Sequence, residues 1–134
     1  MERVNHEYYI SLEIAKLLKE TGFNWECEYA YMPSTEMGNV PFKHLYNRTN
    51  YNELHYEVYS APTLDVTQRW LREVKNMSVE ISFEKPGKWS CSVILDTNKG
   101  ISFENFWREE FDYDIYEEAQ EAGIKKALKI ILEK

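Results

Sequence analysis

The side chains equipped for chemistry are few and scattered. Histidine occurs three times, as His6, His44 and His55, and cysteine twice, as Cys27 and Cys91. His55 and Glu57 fall on one side of the extended stretch LHYEVYS, and Glu26 and Glu28 on one side of WECEYAYM. Brought together across a hairpin, these four donors would suit a hard or borderline divalent cation. The same residues also make an ordinary wet face of a sheet. A nucleophilic Cys27 would need a nearby cation or helix start to lower its pKa. It has Glu26 and Glu28 instead, and alternation sets it beside Trp25 and Tyr29 on an apolar side, as a buried structural thiol. Cys91, in alternation with Trp89 and Val93, reads the same way. HExxH, CxxC and GxSxG are absent. Five glycines with no Gly-rich run exclude a phosphate loop and a dinucleotide fingerprint. On this basis no residue is assigned a catalytic, cofactor-binding or metal-ligating role, and the leading reading is a protein that is not an enzyme.

Charge is the strongest anomaly. Glu104, Glu109, Glu110, Asp112, Asp114, Glu117, Glu118 and Glu121 stand against Arg108 alone, and this window accounts for the whole formal net charge of −7. Acids at a helix start stabilise it by about 0.3–1 kcal/mol each at low salt. That accounts for the later members, with Asp114 as cap and Glu117 three residues on in a capping box. It leaves Glu104, Glu109 and Glu110, which are interleaved with Phe106, Trp107, Phe111 and Tyr113. Acids mixed with aromatics suit a surface for a partner protein, or an imitation of a phosphate backbone. The expected partner-binding residues are therefore Glu104, Phe106, Trp107, Glu109, Glu110, Phe111 and Tyr113. A second candidate surface is the polar stretch 33–53, longer than an ordinary connection. Arg69, Arg72 and Lys75 form a local basic patch, but a pI near 5.0 argues against direct binding of nucleic acid.

Around these residues the chain alternates between helical and extended patterns. At 134 residues it is sized for one domain and needs neither disulfide nor metal to fold. SLEIAKLLKETG reads as a helix capped by Ser11 and stopped by Gly22. WECEYAYM and LHYEVYS read as strands of a wide hairpin, the first with one apolar face. APTLDVTQRWLREVKN is a helix with Thr63 as N-cap and an apolar row of Val66, Trp70 and Val74, with Leu71 beside it. SVEISFE, KPGK, WSCSVILD, TNKG and ISFENFW then predict two tight turns joining three strands, with Ile101 and Phe103 inward. The closing helix carries Ala119, Ala122, Gly123 and Ala127, small enough to let it lie close on a sheet. The expected fold is a single α+β domain over 1–134: an antiparallel sheet, made of a three-stranded meander plus the wide hairpin, with helices on one face. Without a long apolar span or a basic-then-apolar leader, the expectation is a cytoplasmic chain with reduced thiols and no membrane contact.

YSAPTLDVTQRWLREVKNMSVEI, a Trp-bearing strand after it, and YEEAQEAGIKKALKIILEK together resemble a group of small uncharacterised proteins of phages and mobile elements of gut bacteria. ISLEIAKLLKETGFN with WECEYAY is similar to the same group. The resemblance implies an accessory protein of such an element and brings no known activity or site residues with it. The expected partner is a host or phage protein.

Overall fold

A computed structural model of the chain describes residues 8–32, 42–43, 48–54, 57–95, 106–108 and 113–133. Its three helices and short antiparallel strands are the mixed α+β content expected. The chain forms two compact units, Met1–Thr63 and Leu64–Lys134. Each holds its own sheet, so the expected single sheet is corrected to two.

In the first unit α1 (Leu12–Glu20) begins at Ser11, whose hydroxyl accepts from the Ile14 N–H at 3.3 Å. It ends where Gly22 takes φ 95°, a conformation that costs glycine little. The Phe23 N–H then reaches back to the Leu18 carbonyl at 3.3 Å, which closes the last turn. Ile14, Ala15 and Leu18 form its buried face. Strand β1 (Tyr29–Tyr31) lies between β2 (Phe42–Lys43) and β3 (Tyr59–Ser60), antiparallel to both. The β1–β3 pair is the wide hairpin, with Ala30 opposite Ser60. The single apolar face expected of β1 is corrected by a bend at Glu28. Across it Cys27 and Ala30, three residues apart, enter one buried cluster with Tyr51, against which Met32 and Val58 pack. Tyr31 points to the other face, where its hydroxyl donates to the Ile10 carbonyl at 2.7 Å. Both faces of this short strand are therefore covered.

In the second unit α2 (Leu64–Val74) buries Leu64, Thr67, Trp70 and Leu71. Val74 is 46% exposed and Val66 half-buried, so the inward face is rotated from the expected Val66–Trp70–Val74 row. Thr67, small enough to sit fully buried, marks the centre of the true face. Asn76 at φ 55° turns the chain into the next strand, a position Asn tolerates better than most residues. β4 (Met77–Lys85) and β5 (Lys88–Leu95) form a hairpin with Gly87 at φ 77° in its turn. Val79 faces Val93, Ile81 faces Cys91 and Phe83 faces Trp89 across the pair, as the alternation requires.

The regular meander is not found. A TNKG turn would set Ile94 opposite Phe103, whereas β6 (Phe106–Arg108) sets it opposite Phe106, three residues out of that register. β6 adds only three residues to what is essentially a two-stranded hairpin. Ile101 and Phe103 lie outside the described residues. Finally α3 (Tyr116–Leu132) lies across β4 and β5 with Ala119, Gly123, Ile124, Ala127 and Leu128 buried. The helix begins one residue later than expected. Ile115 occupies the N-cap position with no side-chain bond, so the capping box of Asp114 and Glu117 does not form, and Asp114 is paired with Lys88 instead. Among the described residues no helix is long and apolar enough to cross a membrane.

Candidate functional site

The acidic and aromatic stretch is fixed to β5 at two places. Phe106 and Trp107 lie in β6, opposite Ile94 and Val93. Tyr113 exchanges backbone bonds with Trp89, at 2.7 and 2.6 Å. Between these anchorages β5 supplies Ser90 and Cys91 while the other chain segment supplies four residues, so the pairing is not continuous. Glu104, Glu109, Glu110 and Phe111 fall outside the described residues, as does much of the stretch 33–53. Glu117 and Glu118 stand in the first turn of α3, where the helix dipole favours them.

Next to Tyr113 the structure assembles an aromatic cluster that the sequence pattern did not single out. Trp89 meets Phe83 edge to face with ring centroids 5.4 Å apart, and Tyr116 likewise at 5.2 Å. Phe83 is 60% exposed, although it lies on the apolar side of β4. Along β4, burial falls steadily from Val79 through Ile81 to Phe83. α3 lies over Val79 and Cys91 at Gly123, and its first residue, Tyr116, packs on Trp89. Ile115 is exposed beside it.

A buried polar network runs alongside. Gln120 is 1% exposed, and its amide N–H groups donate to Asp65 Oδ1 at 2.7 Å and Gln68 Oε1 at 2.8 Å. Gln68 in turn donates to the Val79 carbonyl at 2.6 Å. The network ties α3 to α2 and α2 to β4. Burial pushes the Tyr116 hydroxyl pKa up, and the charges of Asp65, Glu117 and Glu80 push it further the same way. The one available sequence signal was a glutamine on the buried stripe of α3, four residues from Ile124.

The other candidates disperse. Glu26 and Glu28 are exposed, and their backbone carbonyls accept from Arg48 at 3.2 Å and from the Tyr51 hydroxyl at 3.3 Å. His55 lies outside the described residues, among which no group of three His, Cys, Asp or Glu is placed to hold a metal ion. Cys27 is 4% exposed and its thiol donates to the Tyr29 carbonyl at 3.2 Å. Burial pushes that thiol up, against smaller opposite effects from Ser60, backbone bonds and Arg48. This is the environment of an inert thiol. On α2, Arg69 is paired with Glu73 at 3.3 Å, and just past its end Lys75 sits over the Trp70 ring at 5.5 Å, so the basic patch is partly spent on neighbouring residues. Compared with protein families, curated proteins and solved structures, the chain matches none.

Proposed function

We propose that this chain is a non-catalytic accessory protein, encoded by a phage or mobile element, that acts by binding a host or phage protein. The binding surface is the far end of the β4–β5 hairpin, continuous with the acidic and aromatic stretch at Tyr113. The observation that carries this reading is Phe83, a large apolar side chain 60% exposed within a ring cluster. Exposed aromatics set among charges are the kind of anchor on which interfaces concentrate their energy.

The test is a photo-crosslinking amino acid placed at position 83, with position 72 as control, since Arg72 is exposed on α2. Irradiation in lysate of the natural host should give one adduct from position 83 and none from position 72. Equal or absent labelling at the two positions would remove the hairpin end as the binding surface. A nucleic-acid-processing enzyme in the adduct would turn the reading towards mimicry of a phosphate backbone.

A further inference from the structure

Phe83 stands on the outer edge of the second sheet, and two contacts fix which way its backbone points. Trp89, opposite Phe83, exchanges both of its backbone bonds with Tyr113, on the side away from β4. In an antiparallel pair such a residue leaves its partner unbonded, so the N–H and C=O of Phe83 turn away from β5. Backbone direction alternates along a strand. Ile81 and Val79 therefore turn outward too, while Glu80 and Ser82, opposite Ser92 and Ser90, turn towards β5. The Val79 carbonyl shows the same direction independently, since it accepts from Gln68 of α2 at 2.6 Å. That bond caps the edge at Val79. Beyond it, among the described residues, no strand and no side chain bonds the outward groups of Ile81 and Phe83. An uncapped edge of this kind is a template for a further strand.

Side chains decide which strand fits. Glu80, Ser82 and Glu84 are exposed on one face of β4. Ser90 fixes that face, because it lies opposite Ser82 and donates its hydroxyl to Glu84. Ile81 and the largely exposed Phe83 belong to the other face. A second copy meets the open groups when Ile81 pairs with Phe83 of the copy, and that antiparallel register sets Glu80 directly against Glu84 of the copy at both ends. Like charges directly opposite each other destabilise a strand pair. Sliding the register to set Ile81 on Ile81 relieves the clash but draws on the Val79 carbonyl, which Gln68 holds. The edge is thus guarded against its own kind, and the same acids favour bases across from them. Lys85 and Lys88 flank the turn beyond this row, and Lys88 is engaged by Asp114. We propose that the edge of β4 at Ile81–Phe83 takes an extended segment of the partner protein as a further strand, with bases opposite Glu80 and Glu84 and apolar residues opposite Ile81 and Phe83. The proposal rests on the protein-binding reading above and gives the form and charge of the partner's segment.

The test is amide hydrogen exchange of the whole, isotope-labelled chain, read residue by residue by NMR. In the free chain the Ile81 and Phe83 amides should exchange fast, and those of Glu80 and Ser82 slowly. The probe is the peptide Lys-Val-Thr-Val-Lys, acetylated and amidated at its ends. At free peptide about ten times its Kd, exchange at Ile81 and Phe83 should slow about tenfold. N-methylation of both valines keeps the charge but removes the donors aimed at β4, and should abolish the effect. N-methylation of the threonine, whose N–H points away from β4, should leave it. Glu-Val-Thr-Val-Glu should bind about tenfold more weakly than the parent peptide. Slow exchange at Ile81 and Phe83 in the dilute free chain overturns the proposal. So does a lack of protection at millimolar peptide, or equal binding of the valine-methylated or the acidic peptide. Protection that rises with chain concentration alone overturns it by giving the edge to a second copy. The two readings fail separately. An adduct at position 83 without protection by the peptide leaves protein binding standing, and protection without an adduct leaves the edge chemistry but not the partner.

Discussion

α3 lies close against its sheet at Gly123, and this sets up a test whose sign depends on a neighbour. A Cβ at this position would lie 2.6 Å from Val79 Cγ1, 3.3 Å from Cys91 Cβ and 3.7 Å from Cys91 Sγ. Carbon atoms prefer about 3.5–4.0 Å, so the methyl of Gly123→Ala needs roughly 1 Å more room from Val79. Val79 cannot yield easily. It is 2% exposed, paired with Val93, and its carbonyl is held by Gln68. Its β-branched side chain also has little rotamer freedom. Overpacking of this kind costs about 1–3 kcal/mol. Replacing glycine by alanine within a helix returns about 1 kcal/mol. Gly123→Ala should therefore destabilise by up to about 2 kcal/mol in urea denaturation at unchanged slope. Val79→Ala alone should cost roughly 2 kcal/mol through lost burial and a cavity. In the Val79→Ala background the added methyl has space, and Gly123→Ala should now stabilise by about 0.5–1 kcal/mol. The reversal of sign is the decisive outcome. If Gly123→Ala has the same effect in both backgrounds, α3 does not lie against β4 as closely as described.

Three further predictions concern buried groups. Gln120→Glu would place a carboxylate against the oxygens of Asp65 and Gln68, where the wild-type amide donates to both. It should cost about 3 kcal/mol at pH 7 and recover in part at pH 5, as the new acid, raised in pKa by its surroundings, takes up a proton; a pH-independent loss would point to packing instead. Cys27 and Cys91 are both buried, so a thiol reagent should find two thiols only after denaturant is added. The Cys27 pKa is raised on folding, so its stabilising contribution is complete below the unfolded thiol's pKa of about 8.5 and declines as pH rises past it. Cys27→Ala should flatten that alkaline limb in urea titrations from pH 7 to 10, and an unchanged limb would clear Cys27 of any part in it.

What could be read from the sequence was local. Ser11 and Gly22 bound α1 through bonds within a few residues of themselves, and Pro86 with Gly87 sets the register of β4 on β5. The small residues of α3 recorded its close approach to the sheet. What could not be read depended on partners distant in sequence. Across the bend at Glu28, Cys27 and Ala30 share a buried cluster with Tyr51, a residue distant in sequence. Asp114 has the composition of a helix cap, but Lys88, 26 residues away, claims its carboxylate. The third strand missed its expected register because turn chemistry at TNKG is one determinant of pairing among several, and β5 met Phe106–Arg108 instead.

Phe83 shows the same limit at the candidate site. Alternation along SVEISFE assigns Phe83 to the apolar side of the hairpin together with Val79 and Ile81, and that side is correct. Periodicity gives the side of a strand a residue occupies, not how far the opposing layer extends over it. The cap of α3 falls on Ile115 rather than Asp114, and Asp114 pairs with Lys88. Trp89 packs between Tyr116 and Phe83, and Phe83 is left largely open. A core position in the pattern becomes a surface position in the fold. Glu117 and Glu118, in the first turn of α3, favour the helix start through its dipole.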